Sequence, residues 1–135
     1  MSHFTKIKTN ISNLNILKQT LKDLNIVYNE SDINNKLTIK GWNNENVEVL
    51  LELKTGCSYG VGVVLNEENN TYEFVADWWG VETGTEVTQE DYINKITQKY
   101  AYNTVMDKIR SKGYEIVSED VDEETNVKIV LRKWE

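Results

Sequence analysis

The residues best suited to chemistry sit in one stretch, "YEFVADWWGVE", Tyr72 to Glu82. Asp77 stands directly before two adjacent tryptophans. A carboxylate packed against indole loses solvation, which raises its pKa and suits it to general acid or base work. Such work needs a second acid, base or nucleophile within hydrogen-bond reach. Tyr59, Tyr72 and Cys57 are weak offers, and they form no recognised catalytic motif, so no catalytic residue is assigned. Cys57, in "TGCSYG", has no neighbouring histidine to activate it. The chain holds one cysteine and one histidine, His3. That count excludes an internal disulfide and a His/Cys zinc or iron–sulfur site. "EDVDEETN" has the acidic density of a calcium loop but no central glycine, and Leu131 falls where a bidentate Glu belongs. It reads as a solvated hairpin turn. "YGVG" lacks the third glycine of a dinucleotide fingerprint and leads into a strand. No cofactor and no metal are expected.

The elements that must position Asp77 follow from hydrophobic periodicity. Phe4 to Thr9 reads as a first strand. Ser12 or Asn13 caps a helix whose Leu14, Leu17, Leu21 and Leu24 form one stripe. Four strand signals come next: "NIVYN", "KLTIKGW", "NVEVLLEL" and "YGVGVVL". The third places Val47, Val49, Leu51 and Leu53 on one face and Glu48 and Glu52 on the other. The turn "EENN" joins Leu65 to Tyr72. Pairing Asn66 with Thr71 sets Leu65 opposite Tyr72, Val63 opposite Phe74, Val61 opposite Ala76 and Tyr59 opposite Trp78. A slip of one residue would mix the faces. Trp78 then belongs to the core face, while Asp77 and Trp79 point away from it.

A long helix begins after the N-cap Thr88, with Asp91 completing a capping box, and stops at Gly113. The chain closes with a second hairpin, "YEIVSED" and "NVKIVLRKW". Val127, Ile129 and Leu131 face inward there, and Lys128, Arg132 and Trp134 outward. The expected fold is α+β: two layers, a largely antiparallel sheet with two helices packed on one face. With 135 residues, residues 1–135 are read as a single globular domain. A chain of this size buries roughly 68% of its unfolded surface and needs no metal or disulfide to fold.

The sheet face without helices collects three of the tryptophans, Trp42, Trp79 and Trp134, framed by Lys40, Asp77 and Arg132. Contiguous exposed aromatics mark binding surfaces. Gly60 and Gly62 leave a hollow on that face, which would suit a small-molecule binder or an enzyme with a pocket near Gly60, Gly62 and Asp77. The competing structural role is a set of aromatic lids over Lys and Arg stems, or over the glycines. Tyr102, with Met106 one turn on, offers a secondary exposed contact; packing of Tyr102 on a loop is the alternative. The net charge of −7 argues against a nucleic-acid or anionic-membrane surface. "MSHFTKIKT" contains no apolar run long enough for a signal peptide or a membrane span. No nucleic-acid partner and no membrane insertion are expected, and the protein is read as soluble.

"MSHFTKIKT", "YEFVADWW" and "ITQKYAYNTV" together resemble a known family, hypothetical chloroplast reading frame thirty-five. That family is encoded in algal plastid genomes and has relatives in cyanobacteria. The resemblance covers essentially the whole chain. It implies a plastid location, the stroma, and needs no transit peptide. It implies no activity, cofactor or catalytic residue. The resulting expectation is a non-catalytic protein-interaction or assembly module. Its partner is another protein or a second copy of the chain, met through Trp42, Asp77, Trp79, Arg132 and Trp134.

Overall fold

The computed structural model describes residues 4–121 and 126–133. The chain divides into two compact units, Met1–Tyr100 and Ala101–Glu135, and each is described by itself. In chain order the elements are β1 (Thr5–Ile7), α1 (Leu14–Asp23), β2 (Tyr28–Glu30), β3 (Leu37–Lys40), β4 (Asn46–Val49), β5 (Leu51–Leu53), β6 (Val61–Asn66), β7 (Thr71–Ala76), α2 (Trp78–Gly84), α3 (Gln89–Ser111), β8 (Tyr114–Val121) and β9 (Val127–Lys133). The fold is α+β with antiparallel pairing throughout.

The first unit is built on a five-stranded sheet ordered β1-β7-β6-β5-β2. Alternation along its strands gives it two apolar faces, which is unusual for a small antiparallel sheet. The inner face presents Leu51, Leu53, Val61, Val63, Phe74 and Ala76. Leu17 and Leu21 of α1 close over it, as their helical spacing dictates, together with Trp78 and Val81 of α2 and Tyr92 and Ile96 of α3. Asn13 caps α1 by accepting from the Ile16 amide at 3.1 Å. Thr88 caps α3 through the Asp91 amide at 3.2 Å. The β6–β7 register is the one that the apolar faces demand, from Asn66↔Thr71 to Gly62↔Val75.

The outer face is where the structure departs from the sequence reading. "NVEVLLEL" is not one strand. It breaks at Leu50, whose amide donates to Val63 O at 2.8 Å. β5 stays in the main sheet while β4 turns away to pair with β3 as a separate two-stranded sheet. That hairpin folds back over the outer face. Ile39, Val49 and Val75 form a second buried cluster, with Phe4, Leu37, Val47 and Val64 packed around it. The face expected to lie open is therefore covered. Its glycine hollow is filled from within the chain: a Cβ on Gly62 would stand 2.3 Å from Val49 Cγ1, and one on Gly60 would stand 3.5 Å from Ile39 Cγ2.

A second departure is α2. Expected strand pairing continued to Tyr59 opposite Trp78, but β7 ends at Ala76 and Trp78 opens a helix. There are thus three helices among the described residues, not two. Trp78 is buried as expected, and its ring meets Tyr92 edge-on with centroids 6.2 Å apart. Burial pushes the Tyr92 phenol well above its ordinary range.

The second unit holds the C-terminal part of α3 and the β8–β9 ribbon. The ribbon is its own two-stranded sheet, with an irregularity between Ile116 and Ser118. Val127 and Leu131, expected to face inward, are 44% and 39% exposed. A two-stranded ribbon cannot cover both of its own faces, which is the physical reason.

If Val49 fills the seat left by Gly62, then Gly62→Ala overpacks that site. Such overpacking costs about 1–3 kcal/mol. The expected outcome is a melting temperature lower by several degrees, partly restored by adding Val49→Ala. Thermal denaturation of wild type and the two variants followed by circular dichroism checks this. A Gly62→Ala chain as stable as wild type would mean that the hairpin does not sit on this face.

Candidate functional site

The Asp77 carboxylate is 1% exposed. It lies between two pieces of backbone that the chain separates by more than thirty positions. Asp77 Oδ1 accepts the Gly80 amide at 3.2 Å, and Oδ2 accepts the Trp42 amide at 2.8 Å. The first bond is the N-cap of α2, the role for which Asp is among the preferred residues. The second ties the β3–β4 turn to the start of that helix. This turn closes through the Gly41 amide on Glu45 O at 2.8 Å, with Asn44 in the left-handed region at φ 61°. Asn tolerates that conformation better than most residues. Both Asp77 oxygens are thus engaged by main-chain N–H groups, a positioning role rather than proton transfer.

The consequence is an aromatic cluster at the protein surface. Trp42 and Trp79 meet at 83° with centroids 4.7 Å apart, an edge-to-face pair. Tyr59 lies 6.4 Å from Trp42 at a tilt of 38°. Trp42 and Trp79 are 54% and 46% exposed. Tyr59 also leaves no room for a side chain at position 80, since a Cβ there would stand 2.9 Å from its ring. Gly80 lets α2 approach the Tyr59 ring, which also neighbours Trp42.

Arg132 lies in the second unit, where its guanidinium pairs with Glu115. Trp134 lies outside the described residues, as does His3. "EDVDEETN" falls partly outside them too. Met106 is 2% exposed and Tyr102 donates its hydroxyl to Glu119 of β8. Residues four apart share a helix face, and this shared face is the one that meets the ribbon, so Met106 is not an exposed contact. Tyr59 packs against the inner core as expected, but it is not strand-paired with Trp78, which lies in α2, and its ring also neighbours Trp42. The available signal was Asp77 itself, a helix-capping residue followed three positions later by glycine. Among the described residues no group of three or more His, Cys, Asp or Glu is placed to hold a metal. No described helix is long and apolar enough to cross a membrane.

Comparison with known proteins places the chain in a family. Residues 20–130 match the family model described as "Protein of unknown function (DUF1257)". "Uncharacterized protein ycf35" of Guillardia theta is 34% identical, over 99% of this chain and 98% of its own length. This chain belongs to the ycf35 family. The ycf35 proteins of Pyropia yezoensis and Cyanophora paradoxa are 31% and 30% identical to it, each over 99% of this chain and 98% of their own. No solved structure matches it.

Removing the carboxylate leaves the Trp42 and Gly80 amides without acceptors. Each lost bond of this kind costs about 1–3 kcal/mol. Asp77→Ala is expected to lower the unfolding free energy in urea by about 2–4 kcal/mol on that ground, with loss of the near-ultraviolet dichroism of the paired indoles. Unchanged stability together with unchanged dichroism would refute the tie.

Proposed function

We propose that this ycf35-family chain is a non-catalytic protein-interaction or assembly module, and that its contact surface centres on Trp42 and Trp79. The observation that carries the reading is the pair of half-exposed indoles held at fixed geometry by the buried Asp77. Large rigid aromatics give contact area at little entropic cost, and tryptophan is over-represented among residues that dominate binding energy. By contrast Phe74, Trp78 and Tyr92 are buried, and Tyr28, Tyr72 and Tyr100 pack against the inner core. An exposed pair anchored by buried main-chain bonds is costly to build for stability alone.

Asp77 belongs to the surface only as its support, since its carboxylate is buried and bonded to the Trp42 and Gly80 amides. The small-molecule alternative is weakened by Val49, which occupies the hollow it required. The ycf35 name borne by the relatives belongs to plastid reading frames, which supports a plastid location, the stroma, for the encounter. The partner is another protein, or a second copy of the chain.

Because Trp79 is nearly half exposed, Trp79→Ala should cost less than about 1 kcal/mol in stability, as exposed substitutions do. The expected result is a folded chain that no longer self-associates in size-exclusion light scattering, or no longer retains a discrete plastid protein that the immobilised wild type retains. Unfolding of Trp79→Ala, or identical association and retention by both chains, would place the surface elsewhere.

A further inference from the structure

The Trp42–Trp79–Tyr59 cluster has a geometry that bears on what it would hold. Two indole faces meet at nearly a right angle, and a third ring flanks Trp42 at a 38° tilt. In an edge-to-face pair the edge of one ring rests on the face of the other, and the face of the standing ring meets the uncovered part of that face at a corner. The face of an aromatic ring carries negative potential, and indole carries the most, so such a corner attracts a cation. The charges around it act in the same direction. Glu82 lies three positions beyond Trp79 on α2, on the same side of the helix, and is exposed. Glu45 is exposed in the same turn as Trp42. The Asp77 carboxylate lies beneath, and its bond to the Gly80 amide offsets the partial positive charge at the start of α2. Lys40, at the end of β3 two positions before Trp42, is an opposing charge. The whole chain carries −7.

We infer that the Trp42–Trp79 corner receives a cationic side chain, arginine or lysine, presented by a basic segment of a partner protein. Arginine is the better fit. Its planar guanidinium stacks on one indole while its N–H groups reach the flanking carboxylates of Glu45 and Glu82. Electrostatic attraction between the acidic chain and a basic segment speeds encounter, and the aromatic corner fixes where the segment docks. This inference rests on the interaction-surface reading above and names the chemistry of its partner.

The test uses the full chain and three capped peptides of equal length: an arginine–glycine repeat, its citrulline counterpart, and a glutamate–glycine repeat. Citrulline keeps the size and planarity of arginine but removes its charge. Binding is followed by tryptophan fluorescence and calorimetry, on wild type, Trp42→Ala and Glu82→Gln. The expected result is binding of the arginine peptide at least tenfold tighter than the citrulline peptide, and none of the acidic one. Affinity should fall tenfold or more in Trp42→Ala. It should fall severalfold in Glu82→Gln, with a shallower salt dependence. Equal binding of the arginine and citrulline peptides, lost in Trp42→Ala, would overturn the cation assignment while leaving the contact surface standing. Arginine-peptide binding that survives Trp42→Ala would overturn the assignment of this corner. So would no binding at millimolar peptide. Circular dichroism of each variant separates lost binding from lost fold, and Glu82→Gln touches no buried group.

Discussion

The fold turns on the seat that Gly62 leaves for Val49. A side chain at position 62 would meet Val49 Cγ1 at 2.3 Å and Val75 Cγ1 at 3.1 Å, so the hairpin can lie flat on the sheet only over glycine. That contact makes the outer face of the sheet a second core. It brings Ile39 to 1% and Val49 to 3% exposure beside Val75. It also carries the β3–β4 turn to the end of β7, where Asp77 waits. Without the seat, Trp42 would have no fixed neighbour and the aromatic corner would not exist.

Asp77 converts that packing into a defined surface. A carboxylate removed from water is costly unless its oxygens are bonded. Here the two acceptor atoms serve two different segments, so satisfying the charge and joining the segments are one event. The T-shaped contact of Trp42 and Trp79 follows from where their backbones are held. Gly80 and Tyr59 complete the arrangement, each occupying space that the other leaves. Exposed tryptophans on a free loop would lose conformational entropy on binding. These indoles have surrendered much of it during folding, which suits them to contact.

Much of this was legible in the sequence. The inner core, the helix caps at Asn13 and Thr88 and the β6–β7 register all follow from period and turn chemistry acting locally. What escaped was non-local. "NVEVLLEL" keeps period two on its apolar face, and its one irregularity is Leu50, apolar between Glu48 and Glu52; a single apolar residue on the outer face does not by itself specify a break that transfers β4 to the opposite face. Both halves are apolar enough for a core, and the sequence does not reveal that there are two cores. Likewise Asp77-Trp78-Trp79 continues an apolar strand pattern, and that pattern masked a helix cap. Trp42, in the β3–β4 turn, and Trp79, on α2, are both about half exposed. The expected reason, an uncovered sheet face, was wrong: they stand at the rim of a covered one. The β8–β9 ribbon, which carries Arg132, is a sheet of its own, and the turn chemistry that marks it as a hairpin does not tell whether it joins the main sheet.

The central claim is that a buried carboxylate pins the exposed β3–β4 turn. Amide hydrogen exchange at Trp42 tests it most directly. An amide in an exposed turn ordinarily exchanges near the rate of an unstructured peptide. The account predicts slowing at Trp42 by on the order of a hundredfold or more, comparable with the amides of β3 and β4, because exchange there requires the hairpin to lift from the sheet. Exchange of the Trp42 amide at the unstructured rate, in a chain whose β6 and β7 amides remain protected, would contradict it.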